Sequence, residues 1–537
     1  MATNVGARLV SCLLAFALGT LLLPCAGQAA PKQGGTLIMA MDTEPPTLAA
    51  YTSTAQPVGE ISAKVYDGLL DYTPDLKPIP SLAKSWTVSP DGKTVTFILR
   101  DGVKWHDGQP FTSADVQYTF MEVLKKLHPR GINTFRDLEA IDIPDDHTAV
   151  FKLAHPAPYM MMALSSYESP IIPKHLFAGT DIATNPYANK PVGTGPFKFV
   201  EWEKGQYIRL DRNPDYWKHG LPYLDHIVAR IISDAGTRSA AMEAGEVNYA
   251  AFNAIPNVDL ARLKKLPNIA VTTDGYKMQS PILQLDFNTQ HKPFDDVRVR
   301  QAIAYSIDRK FIADKIWFGY ARVATGPINS NFKSNGFYTT DGVKNYNVPD
   351  GVAIANKMLD EAGYKRGADG NRFQAIIEVG PGGPDYQRYA EYLQQALGKI
   401  GIKITLRNED WPTWLRRLYT NYDFDMSVLS IQTLADPVIG IDRLYSSWSI
   451  KAGTIFVNET HWSSPKTDEL MKAAAIETDP GKRAEIYHQL QRELSEQVPL
   501  VWVDELEFVT VYDKKFHDLL VSALGAYSSF DRVWMDQ

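Results

Sequence analysis

The spacing of apolar positions changes several times along the chain, and each change predicts an element. Residues 36–41 form a short apolar run that reads as a strand, closed by the proline-bearing turn "TEPPTL". Residues 58–70 follow with helical spacing. The stretch "SWTVSPDGKTVTFILR" places two runs rich in Val, Thr and aromatics around Pro90-Asp91-Gly92, a β-hairpin. Beyond Pro191, short strands over 197–200, 207–210 and 227–232 alternate with helices. Over 385–401, Tyr386, Tyr389, Ala390, Leu393, Ala396, Leu397 and Ile400 fall on one face at 3.6-residue spacing. Gly401 stands where a left-handed cap belongs, and a strand resumes at 402–406. A further strand is expected over 426–430. Alternating strands and helices indicate α/β layers.

The first residues stand apart from this pattern. Arg8 is the one charged side chain before Lys32, residues 9–23 are mostly apolar, and Pro24 leads into "CAGQAAPK". That is the layout of a secretory signal peptide over residues 1–29, cleaved after Ala29, and too short to span a bilayer comfortably. Pro24 fits poorly with a lipid anchor on Cys25. Cys12 and Cys25 both lie in this leader, so the mature chain carries no thiol. The formal charge of −7 shifts by one more negative unit when Arg8 is removed. An exported, mildly acidic chain of about 508 residues argues against nucleic-acid binding and for several lobes.

"LRDGVKWHDGQPFTSADVQYTF" (99–120) gathers one histidine and several aspartates, and raises the question of a metal or acid–base site. Asp101-Gly102 and Asp107-Gly108 are turn dipeptides, and Thr112-Ser113-Ala114-Asp115 has the form of a capping box ahead of a helix over 114–124. His106 has no second histidine at helical spacing, so architecture is the better reading. Gly92-Lys93-Thr94 lacks the upstream glycine of a phosphate loop, since Thr87 stands there.

The same stretch resembles the hallmark of the family 5 solute-binding proteins of ABC importers, which include dipeptide-, oligopeptide- and nickel-binding members. "PVGTGPFKFVEW" (191–202), "LDRNPDYWKHGLPYLDHI" (210–227), "FNTQHKPFDDVRVRQAIAYSIDRKFI" (287–312) and "RAEIYHQLQRELSEQVPLVWV" (483–503) resemble further family segments, in order. The resemblance implies a periplasmic binding protein-like fold: two α/β lobes joined by a hinge, with an additional smaller α+β domain. It implies lobe I over 30–62, 191–280 and 503–537, the additional domain over 63–190, and lobe II over 281–502. It also implies a monomeric receptor in the periplasm that hands a small molecule or peptide to an inner-membrane permease and its ATPase subunits.

Positions corresponding to family pocket strands are Thr54 and Gln56 before the first helix, Tyr167 in "SSYESP", Tyr276, Trp411 in "NEDWPTWLRRL", and Ser430, Gln432, Thr433 and Asp436 around "SIQTLADP". Core packing competes with a pocket role for Tyr167 and Tyr276. Peptide-binding members typically place an Asp after that strand, for the ligand's ammonium group, where this chain has Thr433 or Leu434. Where an Arg can meet the ligand's carboxylate, the neutral "GPGGP" (380–384) stands. Asp436 can substitute for the missing acid if the loop is remodelled; otherwise the pocket suits a sugar derivative or another polar metabolite. No cofactor, metal site or catalytic residue is expected: Gly-x-Ser-x-Gly and His-Glu-x-x-His are both missing, which disfavours an exported hydrolase.

Overall fold

A computed structural model describes residues 31–380 and 383–536. The predicted leader and both cysteines lie outside them, as do Pro381 and Gly382 of "GPGGP". Among the described residues, no helix is long and apolar enough to cross a membrane.

Two large sheets organise the molecule. The first has seven strands in the order Ile269–Thr272, Thr510–Asp513, Tyr249–Ala250, Thr36–Met41, His226–Ile231, Tyr207–Arg212 and Phe197–Glu203. Thr36–Met41 lies near its centre and runs parallel to both neighbours. The second has six, in the order Ala321–Val323, Leu500–Leu506, Pro281–Phe287, Met426–Gln432, Phe373–Val379 and Ile402–Asn408. Its strand Pro281–Phe287 is buried throughout. Leu283, Leu285 and Phe287 pack in the core that holds helices Val297–Ser306 and Pro384–Lys399, while Ile282 joins Trp414, Tyr419 and Trp502 in another core. A smaller antiparallel sheet of Ala83–Val88, Thr94–Leu99, Thr148–Leu153 and Leu138–Asp145 forms the additional domain. The fold is thus mixed α/β, two sheet-centred lobes with one extra domain.

The chain passes from the first large sheet to the second between Thr272 and Pro281 and returns between Leu506 and Thr510. The expected return at 503 falls inside a strand, because Asp504 and Glu505 still pair with Leu283 and Ile282. The two crossings touch: the Tyr276 hydroxyl bonds the Thr510 hydroxyl, and the Tyr276 and Phe508 rings lie 5.5 Å apart. Two adjacent strands of backbone between rigid lobes form a hinge.

Several local expectations match the structure, and one does not. Helix Pro384–Lys399 ends at Gly401, whose φ of 80° only glycine adopts easily, before strand Ile402–Asn408. The helix expected over 58–70 is Gln56–Val65. It stops because Tyr66 turns extended and Gly68 presses against the backbone at Leu164–Ser166, where a Cβ would sit 2.4 Å from the Leu164 carbonyl oxygen.

The 99–120 stretch is architecture. Thr112 and Asp115 form the expected capping box. Nδ1 of His106 accepts from the Gly193 amide at 3.2 Å, so Nε2 carries the proton and donates to the Gly195 carbonyl at 3.0 Å. Burial lowers His106 to about 4 and keeps it neutral. The histidine therefore latches the additional domain to the "GTGP" turn. That turn in turn closes the first helix, since the Gly195 amide donates to the Val65 carbonyl at 2.9 Å. Asp67 collects the Thr194 hydroxyl and the Trp217 indole, both at 2.9 Å, which joins two of the recurring motifs.

His128 yields a pH prediction. It is 1 % exposed, accepts from the Gly131 amide at 2.8 Å, and is lowered to about 3 by burial and the nearby Arg130 charge. An unfolded histidine titrates near 6.5, so below that pH the unfolded chain takes a proton that the folded chain refuses. Its contribution is complete above about pH 6.5 and is lost as pH falls toward about 3, at up to about 1.4 kcal/mol per unit. Urea midpoints measured from pH 7 to pH 5 are expected to fall less steeply for His128→Asn than for wild type; parallel slopes would contradict the assignment.

Candidate functional site

The candidate site is the region where elements of the two lobes and the additional domain meet beside the crossings between the two large sheets. From lobe I comes helix Gln56–Val65, buried from Val58 onward. It carries Glu60 and Lys64 one turn apart, 4 % and 0 % exposed. Gln56 donates to the Glu60 carboxylate at 3.1 Å. Lys64 donates to the Ala526 carbonyl and lies 3.9 Å from the centre of the Phe530 ring. Burial raises Glu60 and lowers Lys64, while each charge partly offsets the other's shift.

Aromatic rings wall this corner. Tyr167 stacks on Tyr527 at 4.0 Å with 8° between planes. Phe252 packs 4.8 Å from Tyr527 and 5.0 Å from Tyr276. Gly59 permits the approach, because a Cβ there would stand 2.9 Å from the Tyr527 ring and 3.2 Å from that of Tyr167.

The additional domain contributes Arg130, whose guanidinium grips Glu168 through Nε and Nη2, both at 2.8 Å, and lies 5.1 Å from the Tyr167 ring centre. Lobe II contributes Arg443 and a second aromatic wall. Trp411 stacks on Trp414 at 5.3 Å and lies 6.3 Å from Phe456, which contacts Tyr419 at 5.8 Å. Across the lobes, Asn257 donates to Asp385 at 3.3 Å and Lys264 lies 5.0 Å from the Tyr320 ring. The additional domain closes one end, with Gly131–Thr134 packed against Pro437–Gly440.

The sequence-derived candidates separate into groups. Trp411 is 45 % exposed on the lobe II wall. Tyr167 and Tyr276 are buried, 4 % and 5 % exposed, in the hinge-side aromatic wall. Thr54 and Gln56 are half-buried at the start of the first helix. Strand Met426–Gln432 runs two residues beyond the expected end, which puts Ser430 and Gln432 inside it, on one face. Ser430 bonds the Tyr386 hydroxyl, and the Gln432 carbonyl accepts from Arg443 at 3.3 Å. Thr433 is buried and donates its hydroxyl to the Ser280 carbonyl at 2.7 Å, tying the strand end to the hinge.

Asp436 does not supply the missing ligand anchor. It is 2 % exposed, and its two oxygens accept from Arg483 at 2.7 and 2.8 Å. One of them also caps the following helix through the Val438 amide at 3.0 Å. Three of its roughly four acceptor sites are taken internally and its charge is already matched by Arg483 in a buried position, which leaves it poorly placed to anchor an ammonium group.

Glu60, Lys64, Arg130, Glu168, Arg443 and Tyr527 are junction residues that sequence reasoning missed. A signal existed for Glu60 and Lys64: two charges at i, i+4 inside "PVGEISAKV", a helix otherwise apolar or small. Among the described residues, no group of three His, Cys, Asp or Glu side chains could hold a metal ion.

Residues 77–451 match the family model described as bacterial extracellular solute-binding proteins, family 5 Middle. The chain belongs to this family. Di/tripeptide-binding protein 1 of Pseudomonas aeruginosa is 30% identical over 488 residues, 85% of this chain and 86% of that relative. The structure of the oligopeptide-binding protein AppA from Bacillus subtilis, in complex with a nonapeptide, superposes with a TM-score of 0.79 at 27% identity, covering 95% of this chain and 100% of the other. AgaA from A. tumefaciens R10, in complex with agropinic acid, superposes with a TM-score of 0.76 at 28% identity, covering 94% and 99%. This family 5 protein is therefore a solute-binding receptor of the kind that serves ABC importers, and its three-way junction is the candidate seat of the solute.

Proposed function

We propose that this protein is a monomeric periplasmic receptor that captures a peptide at the three-way junction and delivers it unchanged to an ABC permease and its ATPase subunits. The observation that carries the reading is the junction itself. Two aromatic clusters are carried by different parts of the fold: Tyr527, Phe252 and Tyr276 of lobe I with Tyr167 of the additional domain stacked on Tyr527, and Trp411, Trp414 and Phe456 of lobe II. A guest touching both walls stabilises the closed form over the open one, which is the requirement for ligand-driven closure. The peptide class is supported by the relatives, two of which are described as binding di/tripeptides and a nonapeptide.

A non-peptide organic solute is the second reading. It is favoured by Asp436, whose pairing with Arg483 leaves the expected ammonium anchor unfilled, and by the agropinic acid complex of AgaA. Native mass spectrometry of gently isolated protein separates the two. A co-purifying peptide supports the first reading; a non-peptide solute overturns it in favour of the second.

Trp411→Ala is expected to weaken binding about tenfold, in the range of an aromatic contact at an interface. Its exposure predicts an unchanged melting temperature. Isothermal titration with the co-purified solute checks the affinity and a thermal melt checks the stability, and unaltered affinity would remove Trp411 from the site.

A further inference from the structure

Arg443 differs from three buried arginines that also rest on backbone carbonyls. These are Arg238, Arg300 and Arg309, at 7 %, 3 % and 3 % exposure, each sealed inside one lobe. Arg443 is only half-buried and lies three residues beyond helix Pro437–Gly440, which packs against Gly131–Thr134 of the additional domain, next to Arg130. Its Nε donates to the Gly440 carbonyl at 3.2 Å, Nη1 to Phe456 at 2.6 Å and Nη2 to Gln432 at 3.3 Å. A guanidinium has five N–H groups, so one remains on each Nη, enough for the two oxygens of a carboxylate.

Among the described residues Arg443 makes no ion pair. The group that presses on it most strongly, after burial itself, is another cation, Arg130, and together they lower Arg443 to about 10. The acids nearby do not balance this pair. Glu168 is already held by Arg130. Glu459 is raised to about 7 by burial, and Asp286 is raised well above its ordinary value by burial and by the Glu459 charge, so these two neighbouring buried acids are held toward their protonated forms. Two guanidiniums with one engaged carboxylate leave a surplus positive charge in a partly desolvated place, an arrangement that costs stability unless an anion arrives.

We propose that Arg443, opposed by Arg130, is the anion subsite of the junction, and that the solute presents a carboxylate to it: a peptide's C-terminal carboxylate, or that of another organic acid. This rests on the junction being the solute site. It places the carboxylate at the end closed by the additional domain, on the lobe II side that carries Phe456 and Trp411, opposed by Arg130 and the Tyr167 ring that Arg130 covers. Docking there also bridges lobe II to the additional domain, so the anion itself favours closure.

The test uses the exported chain without its leader and a library of di- and tripeptides, each as the free acid and as the C-terminal amide. Binding of both forms is measured by titration to wild type and to Arg443→Gln, with Arg443→Lys as the charge-retaining variant and thermal melting to confirm folding. Free acids are expected to bind wild type at least tenfold more tightly than amides. Arg443→Gln is expected to erase that preference and Arg443→Lys to keep part of it. Equal binding of acids and amides to wild type overturns the subsite and leaves the peptide reading intact. If neither form binds, the peptide reading fails, and the subsite is read with malonate alone. A melting shift of wild type that Arg443→Gln loses upholds the subsite; no shift overturns it.

Discussion

Asp436→Ala is expected to lower folding stability by about 3–5 kcal/mol, because it strands a buried guanidinium without its counter-charge. The Arg483 side chain is 7 % exposed and that of Asp436 2 %, and the pair is bidentate at 2.7 and 2.8 Å. Most of the loss comes from the charge left behind. The double variant Asp436→Leu/Arg483→Met, which removes both charges and keeps apolar volume, is therefore expected to recover most of it. Urea unfolding of the three chains checks this. A single variant with wild-type midpoint would show that the pair is solvated. The result also bears on binding: weakened affinity in Asp436→Ala accompanied by a lowered midpoint reports a damaged lobe and not a lost ligand contact.

Gly193→Ala is expected to destabilise by about 3 kcal/mol, at the upper end of overpacking costs. A Cβ on Gly193 would stand 1.9 Å from the Val65 carbonyl oxygen, which cannot retreat because it accepts the Gly195 amide at 2.9 Å. The same glycine meets His106 twice, through its carbonyl and its amide, so displacing it loosens the additional domain as well. Gly205→Ala is the contrast. That glycine has a φ of 73° with nothing within 4 Å of a built Cβ, so only the backbone penalty of about 1 kcal/mol applies. Thermal melts that rank Gly205→Ala as the worse variant would contradict the close approach at the "GTGP" turn.

Local pattern reached far in this chain. The capping box at Thr112, the hairpin at 83–99 and the helix ending at Gly401 all follow from residues within a turn or two of each other. The Asp-Gly dipeptide beside His106 was legible as a turn, and the segments around Gly193 and Trp217 as family motifs. Their joint purpose was not, because His106, Val65, Asp67 and Trp217 converge from segments separated by up to 150 residues. The helix over 58–70 was read too long because its stop is tertiary: Gly68 is forced by the Leu164 backbone and not by a breaker pattern.

The candidate residues could be named from local sequence, but their surroundings could not. Trp411, Tyr167 and Tyr276 lie on the two walls, but the charged residues at the junction take partners from distant parts of the chain, as Lys64 does from Ala526 and Arg130 from Glu168. Asp436 illustrates the reverse error. As a lone acid beside the pocket strand it invited a ligand role, and nothing local to "LADPV" reveals that Arg483 lies against it.

The account depends on a molecule that shuts around a guest without altering it. Small-angle X-ray scattering of the exported chain, titrated with the solute recovered from it, tests this most directly. The account predicts a fall in radius of gyration that tracks the bound fraction and saturates with it. A scattering curve that stays unchanged at full occupancy would contradict it.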